Sequence, residues 1–305
     1  MQWAGQGHIV DPNPYAANHE TFWPTQQKPS KLFLDTWLAK LKELVDNYSP
    51  DLLWFDFGLR FVQEHYKREF VSYYYNKGKA LNKDFTITYK WHNLAPGSGV
   101  EDLEQGQQDD LTYNFWITDT TVDDGEAWGY LYNNSYKSPE SVIHYLIENV
   151  SKNGALLLSI GPRADGVIPD EVKHILSEMG KWLEVNGEAI YGTTSWMWAG
   201  EGPTKRTKRG AFSDAEKLNY TAKDIRFTVK DDCLYAICLG WPSREAVIET
   251  AAKYMYPEEI KSIRLLGVDR ELEWRMTNAG LEIAMPDKRP CDYAYAFKIE
   301  RQRPF

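Results

Sequence analysis

Three acidic residues in the first third of the sequence have the side chains that glycosidic bond cleavage needs. Asp56 ends a short apolar run that begins at Leu52, and Glu101 and Glu104 lie in a later glycine-containing loop. Cleavage requires a pair of carboxylates, one to attack or stabilise the anomeric carbon and one to protonate the leaving oxygen. Simpler interpretations stay open, because an aspartate after a strand often caps a helix and an acidic loop is often only solvated.

Short apolar runs alternate with helical patterns around these acids. Apolar residues recur at helical spacing from Leu34 to Tyr48, and Ser49-Pro50 ends this first helix. The alternation is typical of parallel β/α folds, whose catalytic groups lie at the carboxyl ends of the strands. A strand buried on both faces is predicted at 51–56, another buried strand at 155–160 and further strands at 85–90 and 113–118. Further helices are predicted at about 60–81, 138–150 and 169–183.

The pattern of apolar residues changes near residue 195, where the alternation of strands and helices ends. Beyond it, short strand-like runs are separated by Gly, Asp and Pro, and the last run places Tyr293, Tyr295, Phe297 and Ile299 at a period of two. We therefore predict a β/α catalytic domain over residues 1–195 and an antiparallel β-sandwich domain over residues 196–305.

Composition narrows the possible partners. The net charge of -9 and the absence of a basic patch with interleaved aromatics argue against nucleic acid. No run approaches the roughly 20 apolar residues of a membrane helix, and no signal peptide is readable, so we expect no membrane contact and a cytoplasmic location. The histidines and three cysteines form no ligand pattern, so we expect neither metal nor cofactor. Aromatic residues make up 14% of the chain and suit sugar binding, although they also build cores.

Three segments carry a resemblance to a known family. The run from Tyr48 to Asp56 resembles the strand that carries the nucleophile of the α-L-fucosidases, glycoside hydrolase family 29. Residues 116–130 look like the segment after the family's acid/base, and residues 150–193 give the most specific match, beginning with Val-Ser-Lys-Asn-Gly-Ala-Leu-Leu-Leu. The resemblance covers about residues 30–196, and the tail is more loosely similar to the family's C-terminal β-domain. It implies a truncated barrel, with about four or five β/α units.

The resemblance implies a retaining α-L-fucosidase that hydrolyses or transfers α-L-fucosyl residues of a fucosylated glycan. By this likeness Asp56 is the nucleophile, Glu104 is the acid/base with Glu101 as the alternative, and the substrate contacts are Trp54, Lys90 and Trp128.

The family's first barrel half, with its paired histidines that hold fucose hydroxyls, has no counterpart in this sequence. A half barrel leaves an apolar sheet face open, so we predict a homo-oligomer whose subunits cover one another's sheets. The missing groups would come from a neighbouring subunit or from Trp3, His8, His19 and Trp23. The alternative is a catalytically inactive or sugar-binding remnant that self-associates.

Overall fold

A computed structural model describes residues 28–124, 128–208, 210–214 and 216–302 of the chain. Two compact units make up the chain, Met1–Asp102 and Leu103–Phe305. The four residues expected to supply missing sugar contacts, Trp3, His8, His19 and Trp23, lie outside the described residues.

The described part of the first unit holds three parallel strands and two long helices. Helix α1 begins after Ser30, whose hydroxyl accepts a hydrogen bond from the Phe33 N–H at 3.0 Å. The apolar stripes of helices α1 and α2 pack against strand β2, in a cluster that includes Phe70 and Tyr74. The elements are α1 Lys31–Tyr48, β1 Leu52–Phe55, a 3-10 turn Leu59–Phe61, α2 Glu64–Leu81, β2 Thr86–Lys90 and β3 Val100–Asp102.

The second unit begins with two further parallel strands and their helices. Ser138 caps α3, with Pro139 at its first position, as the sequence predicts. Trp182 of α4 is buried and donates its indole N–H to the Ala294 carbonyl at 2.9 Å, which ties this helix to the C-terminal strands. The elements are β4 Trp116–Thr121, α3 Pro139–Ser151, β5 Gly154–Ser159, α4 Asp170–Asn186 and a 3-10 turn Gly187–Ala189.

Two antiparallel sheets complete the second unit. A five-stranded sheet has the order β10-β13-β8-β7-β6 and a three-stranded sheet the order β11-β12-β9. Phe227, Leu234 and Phe297 of the first sheet pack with Ile248 and Ile283 of the second in one apolar core. The elements are β6 Thr194–Glu201, β7 Ile225–Lys230, β8 Cys233–Cys238, β9 Glu245–Ile248, α5 Glu249–Tyr254, a 3-10 turn Pro257–Glu259, β10 Ile260–Leu265, β11 Trp274–Met276, β12 Leu281–Ala284 and β13 Tyr295–Arg301.

The predicted fold class is confirmed, with five parallel strands in β/α units followed by an antiparallel sandwich. The prediction that the strand before Asp56 is buried on both faces is wrong, because Leu52 is 49% exposed and the rest of β1 is only half-buried. The prediction of a buried strand at 155–160 is wrong too, because Leu157 is 48% exposed and most of β5 is half-buried. Strand β3 falls where the sequence indicates only a loop, and β4 begins at Trp116, three residues later than predicted. The domain boundary at 195 stays a prediction.

Candidate active site

Strand register sorts the candidate residues of the first unit onto two faces. Trp54 pairs with Thr88, and Lys90 pairs with Asp102. Because parallel neighbours in register share a face, and Thr88 and Lys90 are two residues apart, these four side chains lie on one side of the sheet. Glu101 pairs instead with Tyr89, on the opposite side.

Glu101 therefore lies on the face that the helices cover. Its register partner Tyr89 belongs to the apolar cluster that α1 and α2 build with β2. Burial raises the pKa of the Glu101 carboxyl above its usual range, against the opposing effect of nearby His92. A raised pKa suits a general acid, but this side of a β/α sheet is not the side on which such folds bind substrate.

Lys90 forms a buried ion pair that the sequence does not reveal. Its Nζ lies 2.5 Å from Oδ2 of Asp102, and the two side chains are 2% and 0% exposed. The same ammonium lies 5.7 Å from the ring centroid of Trp54 and 5.6 Å from that of Phe57. The charge is thus held between a carboxylate and two aromatic rings. Lys90 thus lies against the Trp54 ring, while direct contact of Lys90 with a sugar stays a prediction.

Asp56 directly follows β1, at the carboxyl end of the strand. Its Oδ1 accepts a hydrogen bond from the Phe57 N–H at 2.8 Å, and the side chain is half-buried. Gly58, two residues after Asp56, has φ 119°, a backbone conformation that residues with a side chain rarely adopt. The bend that follows Asp56 therefore depends on a glycine.

Glu104 occupies a tight turn in the second unit. The turn runs from Leu103 to Gly106 and is closed by the Gly106 N–H on the Leu103 carbonyl at 3.1 Å. Gln105 has a positive φ of 45°. The Glu104 side chain is buried, with 2% exposure.

Strand β4 and helix α3 hold the inner side of this turn. The N–H groups of Leu103 and Gln105 donate to the carbonyls of Ile117 and Asp119, each at 2.8 Å. The Thr118 hydroxyl donates to the Leu103 carbonyl at 2.8 Å, and the hydroxyl of Tyr145 donates to the Gly106 carbonyl at 2.7 Å. Backbone groups of the turn are thus bound by both strand and side-chain partners.

The segment 210–214, which precedes β7, holds the other side of the turn. The Phe212 N–H donates to the Glu104 carbonyl at 2.8 Å, and the Asp214 N–H donates to the Gln105 carbonyl at 2.9 Å. A Cβ added at Gly106 would lie 2.2 Å from the Gly210 carbonyl oxygen, so no larger residue fits there. The turn is fixed from both sides, and no sequence pattern signals this contact across about a hundred residues.

Asp214 joins this segment to the parallel strands through its side chain. Its Oδ2 accepts from Lys137 Nζ at 2.9 Å and from the Thr120 hydroxyl. The remaining candidate, Trp128, lies in the chain segment that connects β4 to α3, and its side chain is half-buried.

Trp54 and Lys90 lie close together on one face of the parallel sheet, and Glu101 lies on the opposite face. Asp56 belongs to the first unit and Glu104 to the second, and their pairing stays a prediction, as do the roles of all six candidates. Within the described ranges, no group of three or more His, Cys, Asp or Glu side chains is placed to hold a metal ion. Among the described helices, none is long and apolar enough to cross a membrane.

Known proteins share both parts of this arrangement. The alpha-L-fucosidase family model matches residues 7–188, and the model of the alpha-L-fucosidase C-terminal domain matches residues 218–300. An alpha-L-fucosidase of Branchiostoma floridae is 27% identical over an alignment of 303 positions, which covers 94% of this chain and 60% of that protein. The tissue alpha-L-fucosidase of Rattus norvegicus is 28% identical over an alignment of 261 positions, which covers 83% of this chain and 52% of that protein.

Solved structures agree with the sequence comparisons. The crystal structure of Thermotoga maritima alpha-fucosidase in complex with fucose superimposes with a TM-score of 0.66 at 28% identity, covering 88% of this chain and 57% of that one. Because the family model matches more than half of the sequence, the chain belongs to the alpha-L-fucosidase family, glycoside hydrolase family 29. Its five parallel strands form a truncated version of the family's barrel, and the chain spans about half to three fifths of the length of these relatives.

Proposed function

We propose that this chain is a retaining α-L-fucosidase that uses Asp56 as nucleophile and Glu104 as acid/base. Asp56 attacks the anomeric carbon of a fucosyl unit while the glycosidic C–O bond breaks and Glu104 gives its proton to the leaving oxygen. Glu104 then takes a proton from water, which attacks the same carbon and releases Asp56 and fucose with retained configuration. With a sugar hydroxyl in place of water, the same second step transfers the fucosyl residue.

The observation that carries this proposal is the fixed turn at Glu104. Hydrogen bonds from β4, α3 and the segment 210–214 hold its backbone, and catalysis gains when acid groups are already oriented before the reaction. The rival Glu101 lies in register with Tyr89 on the helix-covered face. Family membership supplies the substrate class, a fucosylated glycan or glycoside.

Two substrates that differ in leaving group separate the roles of the three acids. Asp56→Asn is expected to abolish turnover of every aryl α-L-fucoside. Glu104→Gln is expected to slow a fucoside with a poor leaving group by about 10²–10⁴, and one with a good leaving group much less, because the latter needs little protonation.

Glu101→Gln is the matched control, because Glu101 lies three residues before Glu104, in β3, and this variant is expected to keep near-normal rates with both substrates. The assignment of Glu104 fails if Glu101→Gln shows the leaving-group dependence and Glu104→Gln does not. If the unmodified chain gives no turnover above a heat-inactivated sample, the alternative of an inactive or sugar-binding remnant replaces this proposal.

Self-association is proposed as well. Leu52 of β1 and Leu157 of β5 are 49% and 48% exposed, although both belong to parallel strands. Exposed apolar residues on a sheet favour burial against another surface, at about 25 cal/mol per Å². Sedimentation velocity on dilute protein is expected to show a homo-oligomer, which Leu52→Lys with Leu157→Lys dissociates. A stable monomer of the unmodified chain contradicts the proposal.

A cytoplasmic location is proposed from the cysteines. Cys233, Cys238 and Cys291 are free thiols, and free thiols persist best in reducing compartments. Cell fractionation tests it, and recovery of the chain outside the cytoplasm contradicts it.

A further inference from the structure

A cavity of about 420 Å³ lies in the second unit, apart from the candidate acid Glu104. It opens between the C-terminal end of α3, the end of β6 and the segment that follows β6. Its volume falls within the range of about 300–1,000 Å³ that small-molecule sites occupy. The C-terminal end of α3 leads into the amino end of β5, so the cavity is remote from the strand ends at which β/α folds carry out catalysis.

The wall nearest α3 is a buried charge network. Glu148 accepts from Arg226 Nε at 2.6 Å and pairs with Lys152 Nζ at 2.9 Å, and Lys152 also donates to the Gln108 carbonyl at 3.0 Å. Burial alone would raise the pKa of Glu148, but the two cations hold it well below the usual range of a carboxyl. These groups present fixed hydrogen-bonding atoms rather than mobile charges.

Aromatic rings form another part of the wall. Trp198 of β6 is 41% exposed, and its ring centroid lies 5.4 Å from that of Tyr254. Tyr220 lines the cavity beneath the Arg226 guanidinium, which lies 5.6 Å from its ring centroid. The neighbouring rings and cation hold both aromatic side chains in place, so that they offer apolar surfaces of defined orientation.

The charges of the described residues around the cavity balance. Among these residues the lining contains four acidic and four basic side chains, namely Asp109, Asp110, Glu148, Glu201, Lys152, Lys205, Arg206 and Arg226. A balanced lining gives no strong field of either sign, so it favours neither an anionic nor a cationic ligand. Carboxylates accept and guanidinium or ammonium groups donate, so together they match a ligand whose polar groups do both.

We infer that this cavity is a second carbohydrate site, which binds one or two neutral sugar units through Trp198, Tyr220 and the charged wall. Hydroxyl groups of a neutral sugar both donate and accept hydrogen bonds, and its C–H faces pack on aromatic rings. The site would hold part of a glycan chain beside the C-terminal end of α3. Binding there requires no turnover at Asp56 or Glu104.

Lactose is the probe, because it is neutral and contains no fucose to occupy the catalytic site. Saturation-transfer NMR with the full chain is expected to show lactose binding that is unchanged by Asp56→Asn. Trp198→Ala is expected to weaken it at least tenfold, and Trp198→Phe to retain most of it. Leu218→Trp, which places a larger side chain at the cavity wall, is expected to block it.

Met197→Ala is the matched control, since Met197 precedes Trp198 on β6, is exposed and does not line the cavity. Lactose affinity should stay unchanged in this variant, and circular dichroism should show every variant folded. The inference is overturned if lactose does not bind, or if binding survives both Trp198→Ala and Leu218→Trp. A methyl glucuronide that binds more than tenfold tighter than the matching methyl glucoside also overturns it, because the site would then select anions.

Discussion

Glu148→Gln tests whether the charge network beside the cavity is desolvated. The network is buried, because the side-chain exposures are 4% for Glu148, 10% for Arg226 and 9% for Lys152. Glu148 contacts both cations. The amide keeps the shape of the side chain and removes its charge. Two buried cations then lose the carboxylate that compensates them.

The expected cost follows from that burial. Removing one partner of a buried ion pair costs about 3–5 kcal/mol, because the remaining charge is left without compensation. For a unit of roughly 200 residues, each kcal/mol lowers the unfolding midpoint by about 2–4 °C, so a drop of roughly 6–20 °C is expected.

Urea unfolding followed by circular dichroism measures the free energy of unfolding directly. Glu245→Gln is the matched control, because Glu245 pairs with Arg275 at 3.1 Å on the surface, with exposures of 39% and 68%. An exposed pair contributes about 0–1 kcal/mol, so this variant should stay near the unmodified protein.

The pH dependence provides an independent readout. The pKa of Glu148 is lower in the folded than in the unfolded chain, where a glutamate titrates near about 4.3. Its stabilising contribution is therefore fully present above about pH 5 and is lost as the pH falls through the folded pKa. The stability gap between the unmodified protein and Glu148→Gln should stay constant from about pH 8 to 5 and narrow under more acidic conditions. A gap below about 1 kcal/mol at pH 7, equal to that of the surface control, would refute the reasoning.

Three other perturbations have defined outcomes. Gly154→Ala places a Cβ 2.4 Å from the Trp116 ring and should cost about 1–3 kcal/mol in thermal unfolding; an unchanged midpoint would contradict this. Burial lowers the pKa of His144, so stability should fall as the pH drops below about 6.5, and His144→Gln should flatten that slope in urea titrations at several pH values. Lys90→Met and Asp102→Asn should each destabilise strongly, and their double-mutant cycle should give a coupling energy of about 0.5–3 kcal/mol; additive losses would argue against the pair.

Local patterns predict the elements that form from local contacts. Helix α1 is readable because its apolar residues repeat at helical spacing from Leu34 to Tyr48, and α3 is readable from Ser138 and Pro139. Strand β3 is not readable, because it has only three residues and two of them are acidic. Its existence depends on pairing with β2, which no local pattern reports.

The candidate site is predictable only in part, for the same reason. Asp56 stands out because an apolar strand ends beside it, and the acidic loop draws attention to Glu101 and Glu104. Once β3 is known, alternation separates Glu101 from Asp102 and reveals the pair with Lys90. The hydrogen bond that joins Phe212 to Glu104 depends on tertiary structure alone.

The hydrogen bonds between the segment 210–214 and the turn at Glu104 limit how the chain can be truncated or combined with parts of a relative. A shortened chain that stops near residue 200 keeps every proposed catalytic side chain, yet it exposes two carbonyl groups of that turn to water. Replacing the C-terminal region with that of a relative would disturb the same contacts unless the new segment offers N–H groups at matching places. The segment 210–214 therefore helps to hold the turn that carries the proposed acid Glu104, and a replacement of the C-terminal region should keep the N–H groups of Phe212 and Asp214 in place.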